Sequence, residues 1–386
     1  MNILFDLIST QGFINGGAEY TIKIFNSLIE RCDKSENKIT ALYDSRIKIA
    51  YNQVSPQYVE KEFNIRCIDI SGESLSSIIE TYNIDVFFIG IGQRMDQYSL
   101  DNINCKVICV IHDLFQKEID DIKIHQYLKL DSWLDLTKGF LRKWRNTIFN
   151  HNQEPVYNNL MNFVQKSNVE IVTVSEYSKF SLLYYYENLK KNIKILYSPE
   201  KEIVFDQDVE NEFLKDIIQQ KKKYFLIVSA DREMKNAEIV MNVFKKFSEL
   251  NPEFYLLTIG YSTIKFENHL ILPYLSASDL EYALKNSYVF VFPSLYEGFG
   301  YPPLEAMKYG KPVLSSNVCS MPEILGDAPL YFSPYYKADI FMSLSKCLQE
   351  YEILRDRSKN HYLKINEIQN KALAELLDMI TCVPLR

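Results

Sequence analysis

The chain has 386 residues, a formal charge of −7, 47% hydrophobic residues and 24% charged residues, a globular composition long enough for two or three domains. An acidic chain with pI ≈ 5.5 presents no overall field for nucleic acid, and no run approaches the ~18 apolar residues of a membrane span. Glycine is scarce, with 12 residues beside 27 Tyr and 23 Phe, so each glycine position carries information.

The start, Met1-Asn-Ile-Leu-Phe-Asp6, places an acid early and lacks a basic region and a small-residue cleavage site, so it does not read as a signal peptide. Seven cysteines, none in a Cys-x-x-Cys pair and several in apolar runs, read as reduced thiols of a cytoplasmic protein. Short apolar runs then alternate with longer amphipathic stretches. In the first half the runs are Asn2–Ile8, Ile39–Tyr43, Cys67–Ile70, Val86–Ile91, Val107–Ile111, Ile171–Val174 and Ile193–Tyr197. Each is rich in Ile, Val and Phe and has the length of a buried parallel strand. Helical patterns lie between them, as in Glu19–Arg31 with Ile22, Ile24, Phe25, Leu28 and Ile29.

Residues 117–167 are too long for one crossover helix and hold both tryptophans, Trp133 and Trp144. Within them, Leu136–Phe149 sets Leu136, Phe140, Leu141, Trp144 and Ile148 on one helical face, with Lys138, Arg142, Lys143 and Arg145 around it. Such a helix either packs its apolar face inward or lies on an anionic membrane surface, and both readings stay open. Residues 200–220 are polar and lack glycine, and a linker is expected near 199–215. The alternation then restarts with Tyr224–Ser229, Phe254–Ile259, Leu270–Leu272, Val289–Phe292, Val313–Ser316 and Leu330–Phe332. Ile340–Ile380 reads as helical. The pattern predicts the α/β class, with two doubly wound domains built on parallel sheets.

The most informative stretch is Phe292-Pro-Ser-Leu-Tyr-Glu297-Gly-Phe-Gly-Tyr-Pro-Pro-Leu-Glu305-Ala-Met-Lys-Tyr-Gly310-Lys-Pro-Val313. A buried strand ends at Pro293, and a loop follows with Glu297, Gly298, Phe299 and Gly300. Pro302-Pro303 fits the first turn of a helix, Glu305 is expected in that turn, and Gly310 ends the helix. Backbone N–H groups at a helix start attract anions. Two carboxylates eight positions apart can accept from sugar hydroxyls and from a ribose diol.

Glu297-Gly-Phe-Gly-Tyr-Pro-Pro-Leu-Glu305, followed by Ala-Met-x-x-Gly-x-Pro-Val, resembles the Glu-x7-Glu signature of family-4 retaining glycosyltransferases with the GT-B fold. Ser315-Ser-Asn-Val-Cys-Ser-Met-Pro-Glu-Ile-Leu-Gly326 is similar to the family's next segment. The resemblance covers nearly the whole chain and is strongest over 224–334. It implies two Rossmann-like domains facing across a cleft: an acceptor-binding domain over 1–199, a nucleotide-sugar-binding domain over 200–365, and a helix over 366–386 returning to the first. It implies transfer from a nucleotide-diphospho-sugar, UDP- or GDP-linked, to a saccharide or lipid-linked saccharide acceptor, with no metal and no further cofactor. Surface polysaccharide or glycoconjugate synthesis is the implied setting, in the cytoplasm or peripherally on the inner membrane face.

By the same resemblance Glu305 holds the ribose, and Glu297 with the backbone of Gly298, Phe299 and Gly300 holds the donor sugar. Gly16 and Gly17, opening the first helix, approach the donor phosphates. Arg232 and Lys235, after the first strand of the second half, stabilise the departing diphosphate. Here the family's strand-end glycine is Ser229 or Ala230 and the Arg-to-Lys spacing is short, which places more weight on Lys235. His112 and Asp113, at a strand end, line the acceptor side, where Ser175 also ends a strand. His112 is expected to bind or polarise a substrate. Asp206-Gln-Asp208 spells the metal-binding Asp-x-Asp of the other glycosyltransferase fold but sits in the polar linker without a strand before it. Two alternatives stay open: a catalytically inactive glycosyltransferase-like partner subunit, and a GT-B-type nucleotide-sugar epimerase.

Overall fold

A computed structural model describes residues 1–12, 14–32, 37–95, 98–115, 117–118, 160–201, 209–260, 262 and 264–382. The basic amphipathic stretch 136–149 and the Asp206-Gln-Asp208 sequence lie outside the described residues. The chain divides into two compact units, Met1–Glu202 with Ile368–Arg386, and Ile203–Glu367.

The first unit is built on a 7-stranded parallel sheet. Its strands are β1 (Asn2–Asp6), β2 (Lys38–Tyr43), β3 (Arg66–Asp69), β4 (Val86–Ile89), β5 (Lys106–Ile111), β6 (Val169–Thr173) and β7 (Ile193–Ile195), one for each expected apolar run. Their order is β3-β2-β1-β4-β5-β6-β7. β1 is an interior strand, with Ile3 registered against Ile39 on one side and Val86 on the other. All four residues of β4 are buried, as a strand covered by helices on both faces requires. Among the described residues its helices include α1 (Gly16–Arg31), α2 (Pro56–Phe63), α3 (Leu75–Thr81) and α4 (Glu176–Tyr185). Phe5 packs 4.9 Å from both Phe25 of α1 and Phe88 of β4.

The second unit holds β8 (Lys223–Ile227), β9 (Phe254–Ile259), β10 (His269–Leu272), β11 (Val289–Phe292), β12 (Val313–Ser316) and β13 (Leu330–Phe332), all parallel, in the order β10-β9-β8-β11-β12-β13. Its helices are α5 (Glu212–Gln219), α6 (Ala237–Leu250), α7 (Ala277–Asn286), α8 (Tyr301–Lys308), α9 (Met321–Leu325), α10 (Lys337–Gln349) and the first part of α11 (Tyr351–Thr381). Phenylalanines fill the core of this unit: Phe225 lies 5.3, 5.7 and 5.8 Å from Phe244, Phe247 and Phe254. Such edge-to-face pairs add to area burial.

Two expectations change. The polar stretch after 199 does not run as linker to 215: α5 begins at Glu212, capped by Asn211, whose side chain accepts from Leu214 N, and it buries Leu214 and Ile217. Two apolar residues at i, i+3 are enough to seat a short helix among charges. The expected helix over 340–380 is two helices, α10 and α11, interrupted at Glu350. The part of α11 assigned to the first unit is bonded there. Gln369 Nε2 donates to Ser198 O at 2.6 Å, Lys106 Nζ to Met379 O at 2.9 Å, Lys194 pairs with Glu375 at 2.8 Å, and Arg31 pairs with Asp378. All seven cysteines are free thiols. Among the described residues, no helix is long and apolar enough to cross a membrane.

Candidate active site

In the second unit, β8 and β11 are neighbours, but β8 connects to β9 on one side and β11 to β12 on the other. The sheet order reverses between them, and ligands of doubly wound sheets bind at the carboxyl ends of such strands. The loop after β8 carries Ser229 in the left-handed region (φ 55°), anchors Ala230 N on Ile259 O at 2.9 Å, and forms a short 3-10 turn over Glu233–Lys235. The loop after β11 carries Ser294 to Gly300.

These two loops meet through their side chains. Lys235 Nζ lies 2.5 Å from Glu297 Oε1, and the two side chains are only 16% and 15% exposed. A pair this far from solvent is screened less than a surface pair. The Lys235 Nζ also stands over the Phe292 ring, 4.7 Å from its centroid, in cation–π contact. Ser294 Oγ donates to the same Glu297 oxygen at 2.7 Å. The backbone is pinned as well: Leu295 N donates to Met234 O at 2.8 Å, Ser316 Oγ to Ser294 O at 2.6 Å and Ser320 Oγ to Glu297 O at 2.9 Å.

Gly300 sits at φ +88° just before α8, where an L side chain is strained, and a Cβ there would lie 2.2 Å from Met321 Cε. Phe299 is buried, packs edge-on against Tyr301 at 5.4 Å, and Gly298 is half-buried. Glu305 is half-buried. It is not in the first turn, as expected, because α8 begins at Tyr301 and Glu305 is its fifth residue. Pro302 and Pro303 also remove two of the four N–H groups a helix start normally offers. The helix terminus is therefore a weaker anion site than the sequence implied. Arg232 is exposed and stands outside the Lys235–Glu297 pair. Its neighbour Asp231 accepts from Tyr274 Oη at 2.7 Å.

In the first unit the order reverses between β1 and β4. Gly16 and Gly17 open α1, whose start is capped by Asn15, with its side chain accepting from Ala18 N. A Cβ at Gly17 would lie 2.8 Å from Ile91 Cδ1, so the glycine lets the helix start approach the loop after β4. His112 follows β5. Its Nε2 bonds to Gly90 O at 2.9 Å, its ring stands edge-on to Tyr20 at 4.7 Å, and burial pushes its pKa down to about 4. The ring is neutral at pH 7, Nε2 carries the proton, and Nδ1 is an acceptor. Asp113 accepts from Phe115 N at 3.1 Å and its carbonyl accepts from Gln93 Nε2 at 2.6 Å. Ser175 is fully buried and its Oγ caps α4 by accepting from Ser178 N at 3.1 Å, which commits that hydroxyl to the helix start. Ser178 Oγ donates to His112 O at 2.6 Å.

Sequence reasoning missed two residues here. Asp6, at the end of β1, is fully buried. It accepts from Ser9 N at 3.2 Å, from Ser9 Oγ and from the Gly90 backbone, yet burial dominates and pushes its pKa up to about 6. An acid set inside the apolar run Asn2–Ile8 was the available signal. Ser294, also fully buried, was hidden inside the motif. Among the described residues, no group of three or more His, Cys, Asp or Glu side chains could hold a metal ion.

Residues 208–364 match the family model described as glycosyl transferases group 1. That segment contains β8 to β13 and the Lys235–Glu297 pair. The second unit is a group 1 glycosyltransferase domain. O-antigen chain mannosyltransferase B of Escherichia coli is 52% identical over 63 residues, 16% of this chain and 16% of that protein. O-antigen chain mannosyltransferase RfbU of Salmonella typhimurium is 30% identical over 131 residues, 31% of this chain and 37% of that protein. The chain spans well under half the length of these relatives. The solved structure of Anabaena Alr3699/HepE in complex with UDP-glucose superposes with a TM-score of 0.62 at 12% identity, covering 98% of this chain and 100% of that one. At that identity the match concerns the fold, and the group 1 domain here is one half of a GT-B fold.

Proposed function

We propose that the protein is a retaining, metal-independent glycosyltransferase that moves a sugar from a nucleotide-diphospho-sugar to a hydroxyl of a saccharide or lipid-linked saccharide. The observation that carries this reading is the Lys235–Glu297 pair at the switch point of the group 1 domain. A cation and a carboxylate held together at the strand ends suit a ligand with a diphosphate and a polyhydroxylated ring. Lys235 stabilises the charge that develops on the leaving diphosphate, with exposed Arg232 as a second cation. Glu297 accepts from the sugar hydroxyls and Glu305 from the ribose. In the first unit, Gly16 and Gly17 are assigned to the donor phosphates, and neutral His112 with Asp113 to the acceptor side. His112 Nδ1, as an acceptor, orients a hydroxyl. In a same-face mechanism the leaving diphosphate helps to take the proton of the incoming hydroxyl. The O-antigen mannosyltransferase relatives support a mannosyl donor and a polysaccharide acceptor. The basic Trp-containing stretch 136–149 supports a peripheral position on an anionic, cytoplasmic membrane face. The test is a thermal-shift panel of UDP-, GDP- and ADP-sugars, since a bound donor raises the melting temperature with occupancy. Stabilisation by one class of nucleotide-sugar supports the reading. A flat response across the panel refutes it.

A further inference from the structure

We propose that Ser294 is a positioning residue for Glu297 and decides which carboxylate oxygen is presented to the donor's sugar. The inference rests on the glycosyltransferase reading of this same site. Ser294 Oγ reaches Glu297 Oε1 at 2.7 Å, and Lys235 Nζ reaches the same oxygen at 2.5 Å. Among the described residues, none is hydrogen-bonded to Oε2. A carboxylate has about four acceptor sites on its two oxygens. Both protein donors converge on Oε1, so Oε2 keeps its capacity for ligand hydroxyls.

The hydroxyl of Ser294 has one hydrogen to give. Met234 O and Tyr296 O lie farther from it, both at 3.2 Å, and are neutral. The short bond to the charged oxygen takes the hydrogen, because charge-assisted bonds are stronger. Ser294 is itself enclosed. It is fully buried, as are Ser316 and Ser320, whose hydroxyls donate to Ser294 O and Glu297 O. Three buried serines thus fix both ends of the Glu297 loop.

This matters most when the donor is bound. Lys235 then shares its charge with the diphosphate, and its hold on Oε1 weakens. Ser294 carries no charge and has no reason to leave. It is the donor that keeps the carboxylate in place while Lys235 serves the phosphates. Ser294 therefore acts on recognition of the sugar and not of the nucleotide.

The experiment is calorimetric titration of the full chain with UDP, GDP, UDP-glucose and GDP-mannose. The nucleotide-sugar that wild type binds best is compared with its own nucleoside diphosphate. Ser294→Ala is expected to weaken the nucleotide-sugar about tenfold and to leave the nucleoside diphosphate unchanged. Ser294→Thr, which keeps the hydroxyl, is expected to restore most of that loss. If Ser294→Ala does not fold, Ser294→Cys, similar in size and a weak donor, takes its place in the same comparison. Equal weakening of both ligands, or of neither, overturns the role of Ser294 and leaves the glycosyltransferase reading standing. A wild-type chain that binds no nucleotide-sugar in the panel overturns both.

Discussion

Asp6 offers a test of the fold's electrostatics that needs no substrate. Its carboxyl is fully buried at the end of β1, and burial outweighs the hydrogen bonds from Ser9 and Gly90, pushing the pKa from 3.8 to about 6. The folded state therefore holds this proton over a window in which the unfolded chain releases it. Stability from this group is fully present below pH 3.8 and is lost as pH rises toward 6. Each pH unit that separates the folded and unfolded pKa values is worth about 1.36 kcal/mol. The ionised group thus destabilises the fold by about 3 kcal/mol at pH 7.5 and by about 1 kcal/mol at pH 4.5. His112 acts in the opposite sense. Its pKa is pushed down to about 4, so it adds stability as pH rises through the same window, and the wild-type profile blends the two. Asp6→Asn separates them. Whatever the amide costs in packing, that cost is the same at both pH values. The variant should thus gain about 2 kcal/mol relative to wild type between pH 4.5 and 7.5. Urea unfolding at the two pH values measures this directly. Parallel wild-type and variant profiles, or a relative loss at pH 7.5, would show that burial does not hold the Asp6 proton.

Other outcomes follow from the site. Lys235→Ala should lower turnover by roughly two to three orders of magnitude, the scale of removing one preorganised electrostatic contact, with the fold intact by circular dichroism. Near-normal turnover would remove Lys235 from the diphosphate role. Transfer should persist in excess chelator, and its abolition there would contradict metal-independent chemistry. By NMR, the His112 ring should stay neutral from pH 8 down to about 5, with Nε2 protonated. A titration near the ordinary value of 6.5 would contradict its burial.

Much of the architecture was legible because buried parallel strands leave a clear mark. Runs such as Val86–Ile91 and Val107–Ile111 are apolar on both faces, and each of the 13 expected strands is present. The strand-end glycines were legible for the same reason. Gly17 lies where a side chain would collide with Ile91, and Gly300 where one would collide with Met321 and the backbone turns left-handed. What single-chain reading could not reach was pairing across sequence. Lys235 and Glu297 are 62 positions apart, and only the β8–β11 adjacency brings them within bonding distance. Pro302-Pro303 marks the first turn of α8 but not its first residue: Tyr301 begins the helix and moves Glu305 into the second turn. The helix over Glu212–Gln219 was obscured by charge, since only Leu214 and Ile217 of its residues are buried. Asp6 was visible as a residue, but its burial depends on β2 and β4 flanking β1 on both sides.

Sugar transfer with retention at the Lys235–Glu297 site is what we propose for this protein. Its most direct measurement is the NMR anomeric signal of the product formed from a nucleotide-sugar of known configuration, with Glu297→Gln as the control. A product with the donor's own anomeric configuration is expected, at a rate lowered at least about a hundredfold by Glu297→Gln. An inverted product, or one formed equally fast by the variant, would contradict it.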